Sequence, residues 1–389
     1  MYLSLTLPAR INVLGNPSDA LEGAHAVISA VDIRAGAFVE EAEELTFEAL
    51  RRQGDGWVVT ERLSADPHNL SYDGHFDLPK GAINRLCGYT PELRQLIARR
   101  PFKIATWSDV PRQSGMGGSS LFVLLTLAAL RAFYELDPLR HNNYVLAELT
   151  QRTECQELGI TCGFADRYVP LFGGLAYMDF RDKLYHRPIK AEPYVTYERL
   201  EGYVPYLPLV IVYTGIFRDS GNVHGCLRPR YLEEYERYRA QGGEPPFMVR
   251  VMEEVGATAW RGKIALLEGD WATFGALMNE NHRLVNEMMR YCGFQEGAGW
   301  ANNLLIETAL AHGALGAKLT GAGGGGSVFA LVRPGEEERM ADVLLRTARQ
   351  HGLERAQTFP CHIARQGLVL EARPSSTVRS ESNHHATSR

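Results

Sequence analysis

The sequence predicts an α+β protein, and three observations carry that expectation. Strand-like and helix-like patterns occur together in both halves of the 389 residues. No internal repeat divides the chain into small equal units. Hydrophobic residues make up 45% and charged residues 22%, ordinary globular usage that excludes disorder for most of the chain. The length suits two domains or one large one.

The elements follow in order. Residues 2–7 and 11–14 read as short strands on either side of Pro8, and 36–41 and 56–61 alternate like antiparallel strands. Residues 119–134 read as a buried helix after a glycine loop, 142–158 as a second helix, and 174–180 as a strand. The stretch 181–208 is rich in proline and charge, and a domain boundary is expected there. Beyond it, 209–213 is a short apolar strand. Helical patterns follow at about 228–239, 246–267, 271–290 and 300–312, the first of them polar on several faces. A glycine-rich turn at 321–326 leads into a strand at 327–332, then a helix near 335–351 and a strand near 357–364. The polar residues 373–389 read as a disordered tail.

Charge and cysteine usage narrow the function. Lys and Arg number 41 against 46 Asp and Glu, a net charge of −5 that argues against a general nucleic-acid binder. Six cysteines without a C-x-x-C spacing make a structural zinc site improbable and suggest reduced thiols in a cytosolic protein. The first residues lack the basic region of a signal peptide, and the uncharged stretch 113–130 is too short to span a bilayer. The expectation is a cytoplasmic protein without a membrane partner.

Two glycine-rich segments dominate. Pro111-Arg-Gln-Ser-Gly-Met-Gly-Gly-Ser-Ser120 stands directly before a helix. Glycines let backbone N–H groups approach an anion, and the helix start adds free donors and a positive dipole end. Ser119 and Ser120 can offer hydroxyls to a phosphate or to magnesium; the plain alternative is a tight strand-to-helix turn. Gly321-Ala-Gly-Gly-Gly-Gly-Ser-Val328 matches the glycine pattern of protein kinases, but no H-R-D or D-F-G follows. It fails as a dinucleotide fingerprint because a strand follows it, and as a Walker A loop because no Lys follows Gly326. A structural turn stays open for it.

A third segment, Arg10-Ile-Asn-Val-Leu-Gly-Asn-Pro-Ser-Asp19, completes an order: Arg-x-Asn near the start, P-x-x-x-G-x-G-x-S before a helix, and T-G-A-G-G-G-G near the end. This order resembles the GHMP small-molecule kinases across nearly the whole chain. Within them it is most similar to the glucuronokinase branch, through Gly15-Asn-Pro-Ser-Asp19, Val110-Pro-Arg-Gln113, Glu157-Leu-Gly-Ile160, Gly163-x-x-Asp-Arg167, Gly173-Gly-Leu-x-Tyr-Met-Asp-Phe180 and Asp219-Ser-Gly-x-Val-His224. Some of these segments, and Tyr213-Thr-Gly-Ile-Phe-Arg218, also resemble the heptose 7-phosphate kinase branch.

The resemblance implies an N-terminal domain like ribosomal protein S5 domain 2 over residues 1–190 and a C-terminal GHMP kinase domain over 205–370. It implies ATP on Pro111, Gly115, Gly117, Gly118, Ser119 and Ser120, with Mg²⁺ on Ser119 and Glu154; Glu157, one turn further on, is the competing carboxylate. It implies Asp166 as the base and Arg10 as the cation that keeps Asp166 ionised and balances phosphoryl charge. Asp19 matches an acceptor-binding Asp of galactokinase-like members. Asn16 and Pro17 replace the Glu and His found before it there, which argues against galactose. Arg112, Arg218 and His224 are candidates for an acceptor carboxylate or phosphate, and Asp179 for the sugar or for ending a strand. Gly321, Gly323 and Gly324 are expected to pack against the phosphate loop, and adenine contacts to come from around 80–110. The expected activity is ATP-dependent phosphorylation of a monosaccharide, with the anomeric hydroxyl of D-glucuronate first. Another acceptor (heptose 7-phosphate, L-fucose, another hexose or pentose) or a non-catalytic sugar and ATP sensor are the alternatives.

Overall fold

The computed structural model describes residues 2–373 apart from 22, 23, 182, 184, 186, 192, 193, 218 and 219. The expected tail, from 374 onward, and Arg218 therefore lie outside the described residues. The first half runs β1 (Tyr2–Leu14), α1 (Ser18–Leu21), β2 (His25–Glu41), β3 (Leu45–Gln53), β4 (Gly56–Ala65), α2 (Asp77–Tyr89), α3 (Leu93–Arg99), β5 (Phe102–Ser108), α4 (Gly118–Phe133), α5 (Asn143–Arg152), α6 (Ala165–Phe172), β6 (Leu175–Asp179) and β7 (Thr196–Arg199). The second runs β8 (Leu209–Tyr213), α7 (Ser220–Gln241), α8 (Phe247–Glu268), α9 (Trp271–Tyr291), α10 (Trp300–Ala311), β9 (Gly316–Thr320), β10 (Ser327–Leu331), α11 (Glu337–Gln350), β11 (Gln357–Pro360) and β12 (Val369–Arg373). No helix among the described residues is long and apolar enough to cross a membrane.

Among the described residues these strands form an eight-stranded and a four-stranded sheet. The larger has the order β12-β1-β2-β5-β3-β4, with β6 and β7 continuing from the first part of β2. Its pairs are antiparallel except β3 with β5. The smaller is antiparallel throughout, in the order β11-β8-β10-β9. β12 pairs with β1, so the chain returns to the larger sheet after crossing the smaller one.

Several elements differ from the sequence expectation for identifiable reasons. Pro8 does not divide β1 in two; the register with β2 shifts between Pro8 and Ala9, and the strand continues through the irregularity. β2 begins well before residue 36 because Ala26-Val-Ile-Ser-Ala-Val31 is buried along its whole length and shows no alternation. The helix expected to 158 ends at Arg152 and passes into a π-helical turn, Thr153–Glu157, as π turns do at the ends of α-helices that must re-aim a side chain.

Packing holds the two sheets together. α4 buries most of its length, from Ser120 to Phe133, beneath the larger sheet. The apolar core there continues without a break to Phe274 and Leu277 of α9 and Phe329 of β10. A polar seam runs beside it. The fully buried Lys318 ammonium donates to the Asn12 and Leu319 carbonyls at 2.9 Å each, and Thr320 Oγ1 accepts from the Asn12 N–H at 3.1 Å. Asn281 of α9 accepts from the Gly15 N–H and donates to the Asn16 carbonyl, both at 3.0 Å. Burial, and then Arg10, push the Lys318 ammonium down to about 7.

Candidate active site

A cleft of about 780 Å³ lies where β1, the loop before α4, the start of α6, the glycine turn 321–326 and α7 converge. Arg10, Asn16, Asp19, Pro111, Arg112, Gly115, Gly117, Gly118, Ser119, Glu154, Asp166, His224, Gly321 and Gly323 all lie on its wall. Of the 80–110 stretch, Ser108 and Val110 reach the wall, with Leu78 just before it.

The two glycine segments meet back to back. Gly115 has φ +75°, and a Cβ there would sit 2.6 Å from the Thr320 carbonyl oxygen. Gly321 has φ +77°, and its Cβ would sit 2.7 Å from the Gly115 Cα. Neither position admits a side chain, which accounts for glycine on both sides of the contact. Gly324 is not on the cleft wall; its N–H donates to the Ala298 carbonyl. Gly117 (φ +83°) ends the loop and starts α4, leaving the first N–H groups of a sixteen-residue helix beside the cleft.

Glu154 gathers the next layer. Its carboxylate accepts from Ser119 Oγ at 2.8 Å and from Ser120 Oγ at 2.9 Å, and it pairs with Arg167. Ser120 is therefore turned inward and away from the cleft wall, against the expectation that it meets phosphate directly. Glu157 goes elsewhere, to Arg85 at 2.9 Å and Tyr72 at 3.0 Å. The π turn separates the two glutamates' directions. Among the described residues no cluster of three or more His, Cys, Asp or Glu side chains could hold a metal. A cation here would rest on one hydroxyl and one carboxylate plus oxygens from elsewhere. One hydroxyl and one carboxylate, hydrogen-bonded at 2.8 Å beside the glycine loop, are hard oxygen donors that fit Mg²⁺.

Asp166 sits in the first turn of α6 with its side chain 19% exposed toward the cleft. Arg10 Nε donates to Oδ1 at 2.6 Å, Nη2 pairs with Oδ2, and Nη1 donates to the Gly115 carbonyl. One guanidinium thus ties the candidate base to the glycine loop before α4. Arg167 Nη1 lies 3.6 Å from Asp166 Oδ2. Burial alone would raise the Asp166 carboxyl, but Arg10 and Arg167 outweigh it and hold it below the ordinary value.

The acceptor side is less open than expected. Asp19 Oδ2 accepts from the N–H groups of Phe164 and Ala165 at 3.0 Å each, and burial, then Asp166, raise its carboxyl. A Cβ at Gly163 would overlap that carboxylate. Asn16 lines the cleft, but its amide donates to the Gly321 carbonyl at 2.8 Å and accepts from Asn12 at 3.1 Å. His224 is buried, with no partner for Nδ1 among the described residues, and burial pushes it down to about 4. A neutral imidazole there can still exchange hydrogen bonds with an acceptor group. Arg112 is exposed on the loop, where its carbonyl accepts from the Tyr213 hydroxyl at 3.2 Å.

Asp179 is also corrected: it does not line the cleft. It ends β6, accepting from the Arg181 N–H at 3.0 Å, and its carboxylate pairs with the Arg181 guanidinium at 2.5 Å and faces His25 at 3.7 Å. The reading of the sequence missed three contributors. Arg167 stands on the cleft wall beside Asp166 and Glu154, and Lys318 and Asn281 orient the site from behind. Only Arg167 had a local signal, standing beside Asp166 at a helix start.

Residues 77–174 match the GHMP kinases N terminal domain, and residues 263–350 match GHMP kinases C terminal. The chain is similar to Glucuronokinase 1 of Arabidopsis thaliana, 30% identical over 336 residues that cover 82% of this chain and 83% of that protein. It is 26% identical over 282 residues to the D-glycero-alpha-D-manno-heptose 7-phosphate kinase of Campylobacter jejuni, covering 71% and 73%. The galactokinase of Lactococcus lactis, solved with galactose, shares the fold with a TM-score of 0.71 at 20% identity, covering 95% of each chain. Fold, cleft and relatives together define a phosphotransferase with an alcohol group as acceptor. The chain belongs to the GHMP kinase family, whose phosphoryl donor is ATP.

Proposed function

We propose that this kinase acts on a sugar, transferring the γ-phosphoryl group of ATP to the anomeric hydroxyl of D-glucuronate to give the 1-phosphate and ADP. The observation that carries the acceptor is the 30% identity to Glucuronokinase 1 across most of both chains. The chemistry is supported by Asp166, held ionised by Arg10 beside the glycine loop.

In this reading the Gly115–Ser119 loop and the start of α4 hold the phosphates through backbone N–H groups. Ser119 and Glu154 hold Mg²⁺, which when bound supplies charge neutralisation at the phosphates. Asp166 aligns the acceptor hydroxyl and accepts its proton. Phosphoryl transfer is loose, with little bond formation to the nucleophile, so a carboxylate below its ordinary pKa suffices for that work. Arg10 fixes the carboxylate through two donors and faces the developing charge. His224 and the free Asp19 oxygen meet sugar hydroxyls, and Arg112 meets the sugar carboxylate.

The similarity to a heptose 7-phosphate kinase keeps a second acceptor in view. ADP release with Mg-ATP against glucuronate, galacturonate, glucose, galactose, L-fucose, L-arabinose and a heptose 7-phosphate separates them. Turnover on glucuronate well above glucose supports the proposal. Turnover only on the heptose phosphate replaces the acceptor, and absence of turnover on every sugar, with ATP still bound, favours a sensor.

A further inference from the structure

The six cysteines are free thiols. Cys87 and Cys361 are buried, and burial pushes them up to about 11 and about 12. Burial likewise pushes Cys292 up to about 11, while Cys226 is exposed on α7. Cys155 and Cys162 are different. Their Sγ atoms stand 3.4 Å apart. Gln151 Nε2 bridges them, donating to Cys155 Sγ at 3.1 Å and to the Cys162 carbonyl at 3.4 Å. Both are partly exposed, and Cys162 reaches the cleft wall.

Their chemistry is unequal. Gln151 Nε2 aims an N–H donor at the Cys155 sulfur, whereas the Cys162 sulfur faces the Gln151 carbonyl at 4.0 Å as a donor. Burial drives the Cys162 thiol upward. One sulfur thus receives a donor that favours its anion, and its neighbour, 3.4 Å away, is placed to resolve it. A partly exposed thiol that receives an N–H donor beside a second thiol is an arrangement that oxidants read.

We propose that Cys155 and Cys162 form a peroxide-sensing site whose closure to a disulfide stops phosphoryl transfer. The Cys155 thiolate attacks one oxygen of hydrogen peroxide, the O–O bond breaks, and hydroxide leaves with the electron pair. Cys155 is then a sulfenic acid. The Cys162 sulfur forms the S–S bond, the S–O bond breaks, and the departing hydroxide leaves as water with the Cys162 proton. The two sulfurs together lose two electrons, and the peroxide gains them.

Position makes the closure consequential. Cys155 directly follows Glu154 in the π turn, and Cys162 directly precedes Gly163 on the way into Asp166. A disulfide needs the sulfurs at about 2.05 Å, closer than the 3.4 Å between them, so the side chains or the segments that carry them must shift. Gly163 cannot yield toward Asp19, where even a Cβ has no room. The proposal is that closure displaces the Glu154 and Asp166 carboxylates relative to one another, and a shift of about 1 Å at such groups costs on the order of a hundredfold in rate.

The test starts from the reduced full-length chain exposed to hydrogen peroxide. Trypsin releases 153–167 with both cysteines in one peptide, and cleavage after Glu157 separates them unless they are bridged. The proposal expects that peptide to lose two hydrogens and to stay joined until reduced. It expects activity on the best sugar of the panel to fall about a hundredfold and to return with dithiothreitol. Cys155→Ser keeps its basal rate and resists peroxide, Cys162→Ser stops at a dimedone-trappable sulfenic acid, and Cys226→Ser stays sensitive. An unbridged wild-type peptide, a bridge without loss of rate, or inactivation persisting in Cys155→Ser would overturn it. The peptide readout needs no substrate, so failure of the thiol site is distinguishable from failure of the acceptor assignment.

Discussion

Asp166 and Asp179 each pair with an arginine and each stand near a histidine, yet only Asp166 reaches the cleft. The partner of Asp166 comes from a distant strand and is 4% exposed. The partner of Asp179 is two residues along the chain and 76% exposed. A local, solvated arginine serves a strand end and adds little energy. A buried arginine brought from β1 holds a carboxylate charged where water is scarce, and leaves one side of it facing the cleft. The difference lies in where each guanidinium comes from, not in the residue types.

The largest expected effect tests that contrast directly. Asp166→Asn should lower kcat by about 10²–10⁴ with the KM for ATP little changed, while Asp179→Asn stays within about twofold in the same steady-state assay. Equal losses would erase the distinction. Arg10→Met should cost on the order of 10²-fold and also move the pH profile. In the wild type Asp166 titrates below the ordinary carboxylate value, so the rate should hold as pH falls toward 5. Without Arg10 burial pushes that carboxyl up, and the acid limb should appear at higher pH. Glu154→Gln should raise the magnesium needed for half-maximal rate by about tenfold, and Glu157→Gln should not.

Stability gives a smaller contrast. His224 is brought down to about 4 by burial, from an ordinary 6.5. The unfolded chain therefore binds a proton between those values that the folded chain refuses. Its contribution is intact above pH 6.5, declines as pH falls to about 4 at about 1.4 kcal/mol per unit, and is level below that. Urea unfolding across this range should show a shallower acid decline in His224→Asn and little change in His25→Asn, whose ring is more exposed. Smallest of all, Arg181→Ala should shift stability by less than about 1 kcal/mol.

Much of the site was legible because its contacts are recorded in residue types with few other uses. Glycines that admit no Cβ marked both loops, and the order of the loops with Arg10 marked the family. The helices α8, α9 and α10 were found nearly to the residue because their apolar positions repeat at helical spacing. What stayed hidden lacked a periodic trace. The first part of β2, residues 26–31, is buried on both faces and does not alternate, and Pro8 sits at a register shift that a sequence cannot display. Lys318 and Asn281 look like ordinary polar residues until the fold places them at the seam. Asp179 misled because a strand-ending Asp and a ligand-binding Asp are the same residue in the same local pattern.

That seam also constrains how the enzyme can move. Lys318 grips the Asn12 carbonyl while Asn281 grips Gly15 and Asn16, so β1 and the turn that follows it are fastened to β9 and α9 at successive points. Sliding one sheet along the other would strand a buried ammonium among carbonyls it no longer reaches, a heavy penalty in a dry interior. Rotation about the fastened line asks for no such break. The seam is therefore an axle, and whatever opening admits a sugar and releases ADP should swing the cleft's outer rim while the glycines beside Arg10 stay almost still.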